Sequence, residues 1–288
     1  MPALIDLRRR IKSVRNTQQI TQAMKTVSTA RLRKAQRTVL ESRPYWHSSP
    51  DLLAEINFWA KRGDHPLLAK RKEKKIEGVV ITSDKGLCGA FNSNLLAQAQ
   101  SFFEEKARHA EVRLVLMGKK SVAFFKNQSF PIDKAFSDQV QKLTLEDLRE
   151  LAQFLLRIYV FNKTDAVYVA YNEFKSILFP RITVSRLLPL SLPAGDDSER
   201  VLLPDWDPGE GAILDSLLPF YFENQIYHFF CESIAAEHAA RMMAMDNATK
   251  NAEELISDLT LVLNKIRQAS ITKELLEIMT AVEALAKK

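Results

Sequence analysis

Glycine and proline are missing from both ends of this chain. Neither occurs from Ala3 to Arg43, nor from Phe220 to Lys288. The eight glycines lie at 63, 78, 86, 89, 118, 195, 209 and 211, all in the interior. Unbroken stretches this long exclude a turn-rich fold at either end and predict continuous helices. At 1.5 Å per residue they would run roughly 60 and 100 Å, too long for a domain of this size, so they are expected to project. Cysteine is nearly absent too. Cys88 and Cys231 are far apart and lie in no CxxC or Cys/His cluster, which excludes a disulfide framework and a zinc centre and fits a reducing compartment. The five histidines, at 47, 65, 109, 228 and 238, show no metal-ligand spacing, and His238 in EHAARMMAM reads as a helix-surface residue. No apolar run approaches the roughly 18 residues needed to cross a bilayer.

What is present is an ordinary soluble composition over 288 residues, enough for two domains or one domain with a large appendage. The net charge of +6 hides a polarity: residues 1–43 carry eleven Lys/Arg against two acids, and residues 213–288 carry seven against eleven. The basic first segment and the acidic last one are expected to attract each other. Both segments repeat at coiled-coil spacing. In the first, Leu4, Leu7, Ile11 and Val14 lead through a polar middle of Gln18, Thr21, Lys25 and Ser28 to Leu32, Ala35 and Val39. In the last, Met245, Ala248, Ala252, Leu255, Leu259, Val262, Ile266 and Ala269 make the stripe. The simplest arrangement is an antiparallel pair. A pair with so polar a middle is weakly held by its own core and calls for a surrounding partner. The Arg-rich, acid-poor N-terminus has the composition of a transit peptide, but its periodicity continues without a break and reads as mature structure. Pro44 and Pro50 are expected to kink or end the first helix, leaving a short helix over 51–60. Pro219 is expected to begin or bend the last one.

Between the helices lies an alternating block. A charged linker over 61–75 leads to a strand at Gly78–Thr82, a helix at Phe91–Ala110, a strand at Val112–Met117 and a short helix at Lys119–Asn127. A longer helix at Leu143–Phe161 is opened by Thr144, with Glu146 and Asp147 in its first turn. Strands follow at Ala166–Phe174 and Ile182–Leu190, then a loop over 191–211. This predicts a small, mainly parallel sheet with helices on its faces, and a division into 1–60, 61–211 and 212–288.

The turn SDKGLCGAFNSN, residues 83–94, stands where many α/β proteins hold phosphate. Its glycines are spaced GxxG, so the dinucleotide fingerprint fails. The nearest P-loop candidate, Gly118-Lys119-Lys120, lacks the hydroxyl residue and has Arg113 in place of the first glycine. Asn92 or Ser93 could cap the following helix. No nucleophile–base pair stands out. A nucleic-acid binder with a basic coiled coil is the alternative reading, but the first helix has no aromatic residue before Tyr45 for base stacking, and an acidic partner helix would offset its field.

Three segments carry a resemblance. RRRIKSVRNTQQITQAMKTVSTARLRKAQR (8–37), SDKGLCGAFNSN (83–94) and ESIAAEHAARMMAMDNATKNAEELISDLTLVLNKIRQASITKELLEI (232–278) resemble, in order, the N-terminal helix, the post-strand signature and the C-terminal helix of the γ-subunit family of F-type ATP synthases. The resemblance implies an α/β fold: a long antiparallel coiled coil of the terminal helices plus a central Rossmann-like domain. It implies a single-copy, non-catalytic rotor coupling proton flow to ATP synthesis or hydrolysis. Its partners would be the α and β subunits of a catalytic hexamer, an ε subunit and a membrane c ring, with no cofactor and no nucleic acid. The 83–94 turn would be structural. A bacterial origin is implied, with a peripheral place on the cytoplasmic side of the inner membrane.

By the same resemblance, Met24 and Lys25 match the position facing an acidic lever of the β subunits, with Arg31, Arg33, Lys34 and Arg37 extending the basic track. Arg267, Gln268, Thr272 and Glu274 match positions that bond a β-subunit loop. Arg241, Met242 and Met245 match the shaft core. Trp206 and Asp207 match a segment that contacts the c ring and ε. The chain departs from the family pattern at MTAVEAL (279–285), which lacks the glycine usual before the terminal AL. It also lacks an inserted cysteine pair, so thiol regulation is not expected.

Overall fold

The computed structural model describes residues 2–59, 65–137, 140, 143–176, 180–191 and 210–286. Its elements run, in chain order, α1 (Pro2–Trp59), β1 (Lys75–Ile81), α2 (Phe91–Ala107), β2 (Glu111–Met117), α3 (Lys119–Phe125), β3 (Ile132–Phe136), α4 (Leu145–Val160), β4 (Ala166–Glu173), β5 (Arg181–Leu188) and α5 (Glu210–Ala286). Two compact units result, one of residues 29–241 and one of residues 1–28 with 242–288.

In the 29–241 unit the strands stand in the order β3-β2-β1-β4-β5. β1 pairs in parallel with β2 and with β4, and β2 in parallel with β3. The β4–β5 pair is antiparallel. Strands flanked by helices on both faces are buried on both, and β1 is buried at every residue after Lys75. On one face Ile76, Val80, Leu114, Leu116, Ala166 and Ala170 meet Leu95, Ala99 and Phe103 of α2 and Phe125 of α3. Gly78 makes this contact possible, because a Cβ there would lie 2.4 Å from the Phe103 ring. On the other face Val79, Ile81, Val115, Met117, Val167 and Val169 meet Leu151 and Leu155 of α4, Phe222 and Ile226 of α5, and Ile56 of α1.

Thr144 caps α4 as its sequence predicts, in a reciprocal box with Asp147. The sequence misses β3, whose IDKAF has two charges in five residues and only intermediate or exposed positions. Pairing with β2 and the Arg113–Asp133 contact hold this edge strand, and neither leaves an apolar alternation to read. The prolines neither end the first helix nor begin the last. Pro44 and Pro50 lie inside α1, and Pro219 inside α5, with no break at any of them. A proline removes one helical hydrogen bond, but Val39, Leu53, Ala54 and Ile56 of α1 and Leu214, Leu218 and Phe222 of α5 are all buried. That burial on both sides of each proline outweighs one lost bond. The 192–209 stretch lies outside the described residues, and with it Trp206 and Asp207.

The second unit is a pair of helices running antiparallel. Thr21 Oγ1 meets Thr249 Oγ1 at 2.8 Å, and Lys25 Nζ meets Asp246 Oδ1 at 2.6 Å, so rising numbers on α1 face falling numbers on α5. Leu4, Leu7, Ile11, Val14, Gln18, Thr21, Lys25 and Ser28 are each half-buried or buried, as the repeat requires. On α5 part of the expected stripe moves. Met245, Ala248, Ala252, Leu259 and Ile266 are covered, Thr249 is covered beside Ala248, and farther along Ile256, Leu263 and Ser270 are covered in place of Leu255, Val262 and Ala269. Leu255 and Val262 are 46% and 44% exposed, and Ala269 is exposed as well. From Ala252 onward the step from each shared position is therefore four residues rather than three. Apolar residues stand at both offsets (Leu255 beside Ile256, Val262 beside Leu263), so spacing alone could not choose.

Candidate functional site: a polar seam and a clasped loop

The seam's middle is held by hydroxyls and charge. With one proton each, one hydroxyl donates across the seam while the other donates along its own helix, to the Gln18 carbonyl for Thr21 or the Met245 carbonyl for Thr249. Asp246 takes Lys25 on one oxygen and Lys250, at 3.0 Å, on the other. The hydrogen bonds from Lys25 and then Lys250 hold its carboxyl below the usual aspartate range. Lys25 thus spends its ammonium on the neighbouring helix, a partner that sequence reading did not name. Met24 beside it is half-buried, as is Met242, and Met245 is buried. Arg267, Gln268, Thr272 and Glu274 are all exposed. The structure does not bring them to Met24 and Lys25, since they lie some twenty residues farther along α5 than Asp246. From Ile271 to Val282 every residue is exposed, including Ile271, Leu275, Leu276, Ile278, Met279 and Val282.

In the sheet-bearing unit the loop after β1 is tied shut from within. The Asn92 side chain accepts from the Ser83 backbone N–H at 3.1 Å and donates to Ser83 Oγ at 2.8 Å. Asn92 therefore closes the loop instead of capping α2, whose start carries no side-chain cap. Asp84 accepts the backbone N–H groups of Lys119 and Val140. The Ser83 amide is thus tied within the loop, and its one carboxylate holds neighbouring segments. Leu87 at the tip adopts a left-handed φ of 62° and is 64% exposed.

Arg241 clasps this loop to α5. Its guanidinium donates to the Lys85 carbonyl at 3.1 Å, to the Gly86 carbonyl at 3.3 Å and to Glu237 Oε1 at 2.6 Å. The Arg241 and Glu237 side chains are only 9% and 3% exposed. Planar, forked and permanently charged, arginine can serve two carbonyls and a carboxylate at once. Sequence reading marks both the loop and Arg241, but not that one holds the other. Glu237 was missed, although its place one turn before Arg241 was a signal for an ion pair. His238, read as a surface residue, is buried at 5% exposure. Burial first, then the charges of Arg241 and Arg31, push its pKa down to about 4.

Comparison with known proteins supplies the family. A family model described as ATP synthase matches residues 3–285. The ATP synthase gamma chain of Pelotomaculum thermopropionicum is 44% identical over 285 residues, covering 99% of this chain and all of that one. That of Desulforudis audaxviator is 41% identical over 297 residues, with the same coverage.

The chain belongs to the ATP synthase gamma-chain family.

The fold is shared with chains of solved ATP synthases. A chain of the Euglena gracilis mitochondrial ATP synthase, in its OSCP/F1/c-ring structure, superposes with a TM-score of 0.67 at 21% identity, over 99% of this chain and 95% of that one. A chain of the Tetrahymena thermophila mitochondrial ATP synthase, from its central stalk and c-ring structure, gives 0.61 over 80% and 99%. Among the described residues no helix is long and apolar enough to cross a membrane. Within this gamma-chain family the fold resolves into the expected parts: long N- and C-terminal helices and a central mixed sheet of five strands.

Proposed function

We propose that this chain is the central rotor stalk of an F-type ATP synthase, with no catalytic centre of its own. The observation that carries the reading is the run of exposed apolar side chains on α5 from Ile271 to Val282, next to a seam whose middle is polar. Contiguous exposed apolar residues call for a cover. A ring of catalytic subunits around the helix end would supply it, while leaving the helix free to turn. The α and β subunits would do the ATP chemistry, and an ε subunit and a membrane c ring would engage the sheet-bearing part. The complex would sit on the cytoplasmic face of a bacterial inner membrane.

Torque in this reading comes from asymmetry. Met24 offers adaptable apolar contact, and the exposed Arg31, Arg33, Lys34 and Arg37 offer a basic track to an acidic lever. Arg267, Gln268, Thr272 and Glu274 stand exposed, where polar side chains can engage a β-subunit loop in some orientations and not in others. Trp206 and Asp207 would meet the c ring and ε.

Sedimentation of the purified chain with purified α and β subunits tests this. One copy should join a complex of three α and three β, and ATPase activity should appear only in the complex. Robust ATP hydrolysis by the isolated chain, persisting after removal of contaminating β subunit, would refute the reading.

A further inference from the structure

A cavity of about 860 Å³ opens in the sheet-bearing unit beside the clasped loop. Its wall is divided by chemistry. Arg31 and Lys34 of α1, Lys85 of the loop and Lys119 at the start of α3 bring cationic side chains, and Asp84 is the one carboxylate among the described lining residues. Asp84 is already engaged with the N–H groups of Lys119 and Val140. Leu143, Tyr227, Phe230 and Ile234 make an apolar, partly aromatic side. His238 lines the same space. It is 95% buried by its 5% exposure, and its Nδ1 has no hydrogen-bond partner. Nδ1 itself is closed off from solvent, so the ring borders the space without offering that atom to it.

We propose that this cavity binds a phosphate-bearing small molecule of nucleotide size, its charged end on Arg31, Lys34, Lys85 and Lys119 and its ring against Tyr227 and Phe230, with the His238 ring beside it. The volume exceeds what inorganic phosphate needs and lies in the usual range of small-molecule sites. Several cations around one space favour a multiply charged oxyanion, and arginine in particular suits phosphate. The position is also apt, outside the carboxyl ends of β1 and β2. The ligand would touch α1, α5 and the loop together, so its binding would stiffen the contact that Arg241 makes. The inference stands on the cavity and not on the rotor reading.

The test uses the full-length chain and ADP as the probe, at fixed ionic strength, with adenosine and tripolyphosphate as separate arms. Calorimetry should show one ADP per chain. Adenosine and tripolyphosphate should each bind at least roughly tenfold more weakly, since each lacks one half of the recognition. In nitrogen-detected NMR of the histidine rings, His238 should titrate from about 4 in the free chain to a higher midpoint with ADP bound. The Lys34→Glu/Lys85→Glu double variant should lose ADP binding by at least about tenfold while keeping the wild-type unfolding midpoint. Absence of ADP binding at millimolar concentration would overturn the proposal, as would binding undiminished in the double variant or an unmoved His238. Equal affinity for tripolyphosphate, or binding of an acidic peptide in place of ADP, would also refute the ligand class.

Discussion

Cutting the clasp between Arg241 and Glu237 should cost more than any surface pair, and the two deletions should not add. Both side chains are nearly buried. Glu237→Ala leaves the guanidinium with its two loop carbonyls but without the carboxylate. Arg241→Ala takes the guanidinium away from a buried carboxylate and two carbonyls. Breaking one side of a buried pair typically costs about 3–5 kcal/mol. Glu237→Ala should fall at the low end, because the carbonyl bonds survive, and Arg241→Ala at the high end. The double variant has no stranded charge, so its cost should fall short of the sum by roughly 2–3 kcal/mol. Arg241→Lys should recover only part of the loss, because an ammonium cannot reach three acceptors in a fork. The assay is urea unfolding of the full-length chain by far-UV circular dichroism, with hydrogen exchange over residues 83–94 to localise the effect. Arg241→Ala should raise exchange in that loop before global unfolding. Strict additivity of the two deletions, or loop exchange unchanged in Arg241→Ala, would refute the clasp.

Three further outcomes are expected. Glu77 is 1% exposed, its Oε1 has no partner, and burial, reinforced by Asp133 and opposed by Arg113, pushes its pKa up to about 8. Folded Glu77 therefore keeps its proton where the unfolded chain has lost it, so stability should fall as pH rises from about 4.5 to about 8 and level off above. Glu77→Gln should flatten that slope, and a wild-type unfolding midpoint indifferent to pH over the window would contradict the assignment. In the assembled complex, Lys25→Ala should be mild because Lys250 remains on Asp246, whereas Met24→Lys places a cation in a half-buried position and should loosen coupling. Proton pumping per ATP hydrolysed in membrane vesicles checks this, and the reverse ranking would sink it. Arg267→Ala with Gln268→Ala should alter coupled hydrolysis and pumping, each lost charge-assisted bond being worth about 1.5–3 kcal/mol; rates equal to wild type would remove these residues from the contact.

Much of the architecture was legible because it rests on local rules. A helix needs no knowledge of its neighbours to be free of glycine and proline, so the existence of long helices at both ends could be read from absence alone, though not their continuation through Pro44, Pro50 and Pro219. The α1 stripe from Leu4 to Ser28 is the same in sequence and structure, because polar residues leave only one face that can be covered. The Thr144 cap lies within four residues of its partner Asp147, and the alternation of strands and helices fixed a mainly parallel sheet. Family membership was equally legible, carried by segments at both ends and in the middle.

What tertiary structure decided was every choice between locally equivalent options. Leu255 and Ile256 satisfy the repeat equally well, and only the direction in which α1 lies across α5 selects Ile256. Pro44, Pro50 and Pro219 each forbid one hydrogen bond, a local cost that burial of the helix on both sides outweighs. β3 has no apolar signal and exists because β2 offers it a ladder. Most plainly, Arg241 and Lys85 are 156 residues apart, and His238 is buried beside cations from α1, the loop and α3. Sequence spacing carries information only over a few turns of helix, whereas these contacts are made by segments that meet only when the sheet closes the chain upon itself.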